Sequence, residues 1–359
     1  MITALIFIIV LAVLIFVHEL GHFLTARAFG IRVDEFALGF GPKIFGWKRG
    51  ETKYALNLVP FGGYVKIFGE NPNDDSISGP DAGRSFVNKA KWKQVIVLAA
   101  GVVFNFIFAW IVITMAFASG VPSDVASYPQ YADRMQGQRI AITFVEAGSP
   151  AEKAGLKPGD TILGFSSIEE IQKAIGESVD KGIALKYKRA DVEGTKNVIA
   201  EKGIVEGKYA IGIAMDNVAT LRLPIHLAVY EGARFTFHMM KEIAVGLYDL
   251  IAGIFNGTSK LAMVTGPIGI AGLVGDAAQL GFTFLMMFTA MISINLGILN
   301  LVPFPALDGG RILFVIIEAI IRRPIKPTIA NAVNAVGFSL LILLMIVVTY
   351  RDIAKLFVK

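Results

Sequence analysis

Long uncharged apolar runs alternate along this chain with short glycine-, proline- and charge-rich stretches. Gln94–Ser123, Ala277–Leu307 and Pro327–Tyr350 carry no charged residue, and each is long enough to span a bilayer as a helix. The first run, Ile2–Val17, is shorter, but its helical pattern continues to Ala26. The pattern predicts a polytopic α-helical membrane protein with about four transmembrane helices. Arg27, Arg32, Lys43, Lys48, Arg49 and Lys53 follow the first helix, so the positive-inside rule puts that end in the cytoplasm and the N-terminus outside. No charged n-region precedes the first run and no A-x-A site follows it before Arg27, which reads as a retained helix rather than a signal peptide.

Between the first two spans, Gly39–Gly69 reads as strands. Gly39-Phe40-Gly41-Pro42 punctuates the start, Tyr54–Val59 is a strand-like run, and Pro60-Phe61-Gly62-Gly63 supplies a turn before a further strand. The residues admit an ordinary cytoplasmic hairpin or a membrane-associated one whose edge pairs with an extended chain. Glu70–Gly83 is polar and turn-rich and is expected to be a mobile loop. From about Gln138 to Met215 the composition becomes that of a soluble domain, with alternating strands, a helix at Ile168–Gly176 and β-rich residues from Ile183 to Ile213. The order of pieces around Ser149–Leu163 resembles a PDZ domain, an α+β fold that takes an extended peptide at a sheet edge. Glu231–Asp249 places Glu231, Arg234, His238, Lys241, Glu242 and Asp249 on one face of an amphipathic helix suited to the membrane interface. The division is then residues 1–135, with two spans and the hairpin; 136–220, the PDZ-like domain; 221–276, a juxtamembrane segment; and 277–359, with two further spans.

Composition narrows the chemistry. The 359 residues are 54% hydrophobic, and the mean hydropathy of +0.61 sets aside an ordinary soluble enzyme. There is no cysteine, so any metal must be held by nitrogen and oxygen. The net charge of +5 comes without a basic, aromatic-interleaved patch, and no nucleic-acid partner is expected.

Of the four histidines, His18 and His22 lie in the apolar first helix as His18-Glu19-Leu20-Gly21-His22. Positions i and i+4 share a helix face, so both imidazoles can reach one metal ion, with Glu19 beside them as a proton acceptor. Ionisable groups in a membrane span are costly and mark function. His226 and His238 fall in the amphipathic segment and read as solvated. The third span ends in Asn300-Leu301-Val302-Pro303-Phe304-Pro305-Ala306-Leu307-Asp308-Gly309-Gly310, where prolines and glycines break the helix. Irregular backbone at membrane depth lines a site or cavity. Topology carries Asp308 to the cytoplasmic leaflet, the depth of His18 and His22, and two histidines plus a carboxylate make a three-ligand zinc site with an open position. In the second span Gly101 and Asn105 stand one turn apart, suited to close helix packing or to lining the site.

Together these motifs resemble the site-2 protease family of intramembrane zinc metalloproteases, in the bacterial RseP/RasP form with one inserted PDZ domain. The resemblance covers nearly the whole chain. It implies that His18, His22 and Asp308 bind Zn2+, that Glu19 is the catalytic acid/base, and that Asn300, Gly62, Gly63 and Tyr64 engage substrate; Gly101 and Asn105 match a motif of the second span, and Asn105 joins the substrate contacts. It further implies a bacterial cytoplasmic membrane, an extracytoplasmic PDZ domain with a possible peptide ligand, and a single-span substrate such as an anti-sigma factor or a remnant signal peptide. The competing readings are a catalytically silent PDZ scaffold and a membrane metalloprotease acting on soluble proteins.

Overall fold

The computed structural model describes residues 2–71, 74–178, 181–189, 192–205, 208–257 and 265–357. The elements run α1 (Ile2–Ala28), β1 (Val33–Arg49), β2 (Thr52–Ile67), α2 (Asp74–Ser78), α3 (Lys91–Ser119), β3 (Val121–Asp124), β4 (Met135–Val145), α4 (Pro150–Lys153), β5 (Thr161–Leu163), α5 (Ile168–Glu177), β6 (Ile183–Arg189), β7 (Val192–Val198), β8 (Glu201–Val205), β9 (Lys208–Ala210), β10 (Ile213–Leu221), α6 (Ile225–Phe255), α7 (Pro267–Leu280), α8 (Phe282–Leu301), α9 (Asp308–Ile321) and α10 (Pro327–Phe357). They divide into two compact units: Met1–Ile113 with Gly232–Asp276 and Met286–Lys359, and Thr114–Glu231 with Ala277–Leu285.

Among the described residues, α1, α3, α8 and Pro327–Ala354 of α10 are long and apolar enough to cross a membrane. The expected third span is corrected at its start. Gly281, at φ +119°, ends α7 and begins α8, so the uncharged run from Ala277 is two helices rather than one. The polar face expected on the amphipathic helix also changes: Glu231 is buried and accepts a hydrogen bond from the Tyr131 hydroxyl at 3.0 Å, whereas Arg234, His238, Lys241 and Glu242 are exposed as expected.

In the first unit, two long strands fold into a four-segment sheet. Residues 33–38 lie at its middle. On one flank their partners run in opposite order, Phe36 to Val65, Ala37 to Tyr64 and Leu38 to Gly63. On the other they run in the same order, Phe36 to Tyr54, Ala37 to Ala55 and Leu38 to Leu56, and beyond these Gly46 and Trp47 pair with Ala55 and Tyr54. The Gly39–Pro42 stretch therefore lies within β1 as the fold-back, and Pro60–Gly63 lies within β2, where a turn and strand start were expected. The end built from Phe40, Leu58 and Val59 is apolar and exposed. The opposite end is polar, with Glu51 paired to Arg84. Residues 63–67 form one free edge. The loop expected over Glu70–Gly83 holds a short helix and a 3-10 turn; residues 72–73 of it lie outside the described residues. Phe23, Ile31, Val33, Phe36, Phe86, Val97 and Val315 form the core that fixes this sheet against α1, α3 and α9.

In the second unit a six-stranded sheet, ordered β3-β10-β4-β5-β6-β7, covers a core including Ile142, Leu156, Ile171 and Leu185. β3 joins through Leu221–Val121 pairing, so the sheet begins well before residue 136. Within it Asp160, fully buried, receives two hydrogen bonds from Arg189, 2.6 Å and 2.7 Å, and one from the Lys157 amide. Removing the buried carboxylate takes away the acceptor shared by the partly exposed Arg189 guanidinium and the Lys157 amide. Asp160→Ala is expected to make this unit protease-sensitive in the intact protein while the first unit stays resistant, read by timed proteolysis with the fragments identified by mass.

Candidate metal centre

Buried positions on α1 recur at Phe7, Val10, Leu14, His18, Gly21, His22 and Ala26, one helical stripe, with Phe23 buried beside it against the sheet. His18 and His22 thus sit where a core-facing helix would place leucines, 9% and 7% exposed. Their facing helix is α3. The Cβ of a residue larger than glycine at 101 would stand 2.7 Å from His18 Cε1 and closer still to His22 Nε2, and Gly21 lies equally tight on the Ala100 carbonyl. Glycine at 21 and 101 lets the helices approach and leaves room for both rings.

Asp308 arrives from elsewhere. After α8 the chain turns through Leu301–Leu307 and enters α9 with Asp308 in its first turn. Gly309 and Gly310 pack on the carbonyls of Leu301, Val302 and Phe304, with no space for side chains. This places Asp308 Oδ2 3.1 Å from His18 Nε2 and 3.4 Å from His22 Nε2, while the two Nε2 atoms are 3.3 Å apart.

The protons of these rings are held on the far side. His22 Nδ1 donates to the Val97 carbonyl at 2.9 Å, leaving Nε2 as a lone pair. The Asn105 amide nitrogen lies 3.2 Å from His18 Nδ1, and Asn105 Oδ1 is buried without a partner. A half-turn of the planar amide presents Oδ1 to Nδ1–H, which satisfies both groups and frees His18 Nε2. Ser293 fixes the same residue by donating to the Asn105 carbonyl at 2.8 Å. Three lone-pair atoms then face one another, and Asp308 Oδ2 is buried with no hydrogen-bond partner among the described residues. Such a cluster is repulsive unless a cation sits in it. A tetrahedral zinc with bonds of about 2.0–2.1 Å sets its ligand atoms about 3.3 Å apart, which is the spacing here. The donor set fits zinc, and it is the metal-capable cluster found among the described residues.

The three residues open on a cavity of about 530 Å³ shared with Glu19, Asn300, Ala306, Leu307 and the free sheet edge from Gly62 to Ile67. Gly62, at φ +99°, lies against the Phe40 ring. An added Cβ at Gly63 would come 2.8 Å from the Ile15 side chain and 3.3 Å from that of Glu19, so this glycine brings the edge against α1. Tyr64 stacks on Phe40 with ring centroids 6.1 Å apart. Across the cavity, Arg311 of α9 pairs with Glu70 just beyond β2.

All but one of the expected site residues therefore meet in one place. The exception is Asn105: it is fully buried behind His18 and lines no part of the cavity, which removes it from the substrate contacts. The amide orients a histidine instead. The sequence reading did not single out Glu70 or Arg311, and a charge directly after Asp308-Gly309-Gly310 was the available signal. His226 and His238 are exposed, and neither belongs to the metal-capable cluster.

A metal-dependent hydrolase centre in a frame of membrane-length helices is the class this arrangement defines. The comparisons agree. The profile described as Peptidase family M50 matches residues 6–344. The chain is 33% identical to the "Regulator of sigma-W protease RasP" of Bacillus subtilis (strain 168), with 99% of each chain covered. It is 35% identical to a putative zinc metalloprotease of Clostridium perfringens, covering 95% of both, and 30% identical to one of Rhizobium meliloti, covering 98% and 96%. The chain belongs to peptidase family M50, the site-2 proteases. It is an intramembrane metalloprotease that depends on zinc, and the silent-scaffold alternative falls.

Gly101→Val is expected to push both imidazoles out of line. Metal analysis of the purified protein should find zinc reduced at least tenfold, the scale of loss when groups orienting a ligand are altered; wild-type zinc content would contradict the packing described.

Proposed function

We propose that His18, His22 and Asp308 are the zinc ligands, that Glu19 is the acid/base, and that the protein cleaves within the span of single-pass membrane proteins. The observation that carries this reading is the meeting of three facing lone pairs, one further carboxylate and a free strand edge on a single cavity. When bound, zinc supplies a Lewis acid that polarises the scissile carbonyl and makes water acidic enough to attack. Glu19 takes the proton of the attacking water and returns it to the leaving amide nitrogen.

A helical substrate hides its peptide bonds in i to i+4 hydrogen bonds, so it must open first. The free edge at Gly63–Ile67 offers backbone partners to an extended segment, and Asn300 on the last turn of α8 offers an amide to the same segment. Gly62 and Tyr64 shape the approach. The apolar end of the sheet, with Phe40, Leu58 and Val59, suits contact with the hydrocarbon layer.

The second unit is read as one PDZ domain, extracytoplasmic and centred on residues 136–220. Supporting this is a groove of about 620 Å³ between α5 and β10, floored by Phe144, Ile175, Ile211 and Ile213, beside the part of β10 that β3 leaves unpaired. The membrane regions 1–135 and 277–359 flank it, with the juxtamembrane segment 221–276. The bacterial sources of the relatives support the cytoplasmic membrane as the location. The relative named as a regulator of sigma-W supports an anti-sigma-type substrate.

Purified protein in detergent with a single-span substrate tests the reading. Glu19→Gln should retain zinc and lose cleavage by a factor of about 10² or more, the range of general acid–base catalysis. Cleavage at the wild-type rate by this variant would remove Glu19 from the chemistry. Glycine or proline placed in the substrate span should speed cleavage by wild type, because the helix then opens at lower cost; an unchanged rate would remove unwinding from the reaction.

A further inference from the structure

Residues 331–340 of α10 are exposed at every position but two, Asn334 and Gly337, one turn apart on the same face. An amide on an otherwise apolar, bilayer-length helix needs a partner, and Asn334 has one: its Oδ1 accepts the backbone N–H of Ala306 at 3.2 Å. Gly337 packs on Pro305 so tightly that a Cβ would stand 2.7 Å from the Pro305 carbonyl oxygen. Ala306 has φ +74°, a conformation that a residue with a Cβ avoids, and one of only two non-glycine positive-φ residues described. Asp308 follows two residues later and begins α9. Locally, the Leu307 N–H donates to the Phe304 carbonyl at 3.2 Å across Pro305 and Ala306, a turn that suits proline at its second position but wants glycine at its third. With alanine there the turn is strained, and a contact from outside is needed to hold it.

We infer that Asn334 is a positioning residue for the metal centre: by holding the Ala306 amide it fixes the left-handed turn that aims Asp308 at His18 and His22. The inference rests on the reading of Asp308 as a zinc ligand. α10 contributes no atom to the cavity, yet it sets the third ligand through one hydrogen bond and one glycine contact. Without the amide, Ala306 relaxes to negative φ, the Leu307–Asp308 backbone rotates, and the carboxylate moves away from the two Nε2 atoms. Zinc affinity then falls although every ligand is still present.

The test is the zinc dissociation constant of the full chain in detergent, measured by chelator competition for wild type, Asn334→Leu, Asn334→Asp and Asp308→Ala. Thermal unfolding of the zinc-free forms runs alongside. Asn334→Leu should weaken zinc about tenfold or more, as altered outer-shell partners do. Asn334→Asp, which keeps an acceptor for the Ala306 amide, should stay near wild type. The zinc-free Asn334→Leu protein should unfold with zinc-free wild type. Ala306→Gly added to Asn334→Leu should recover affinity, since glycine holds positive φ unaided. Wild-type affinity in Asn334→Leu, equal weakness of the Leu and Asp variants, or early unfolding of the zinc-free Leu variant would each overturn the inference. Asp308→Ala separates the two levels: loss of zinc there with none in Asn334→Leu removes only the role of Asn334, whereas retained zinc removes the ligand reading as well.

Discussion

The structure turns on an electrostatic conflict. Two imidazole nitrogens and a carboxylate oxygen, all electron-rich, are held 3.1–3.4 Å apart inside a largely apolar helix bundle. Left alone, such a cluster is among the more costly things a membrane protein can bury. The surroundings nevertheless enforce it. Val97 and Asn105 hold the far sides of the rings, Gly21 and Gly101 bring α1 and α3 together, and two glycines seat the start of α9 on carbonyls of the preceding turn. A divalent cation resolves the conflict, and the rigidity of the frame means little reorganisation is needed when it binds.

The sheet beside this centre solves a second problem. Peptide bonds in a transmembrane helix are sequestered from water and from any catalyst. Folding two long strands back on themselves leaves an unpaired edge within the first unit, next to Glu19, and glycine at 63 lets it come that close. Free edges are ordinarily a liability for aggregation. Here the edge is short, ends at the Glu70–Arg311 ion pair, and opens on the cavity rather than on bulk solvent.

Much of the centre was legible from residue order. His18 and His22 follow from the i, i+4 rule, and Asp308 follows from matching depth in the bilayer once the spans are counted. What escaped depends on contacts between distant segments. Asn105 carries an amide that could serve a substrate or a histidine, and only the burial of α3 against α1 decides for the histidine. The fold-back at Gly39–Pro42 looked like punctuation before a strand because glycine and proline signal turns locally, whereas here the pairing continues through them. The break at Gly281 was masked by the unbroken apolarity of Ala277–Leu307; hydropathy reports burial in lipid, and a glycine with positive φ is invisible to it. Asn334 was overlooked in an apolar run read only for its length.

X-ray absorption of zinc in the purified protein tests the central claim most directly. Spectra of wild type should fit two imidazole nitrogens with the remaining ligands oxygen, at about 2.0–2.2 Å, and the Asp308→Ala spectrum should lose an oxygen scatterer or the metal altogether. A third imidazole in the wild-type shell, which only His226 or His238 could supply, or a spectrum unchanged by Asp308→Ala, would contradict the site described.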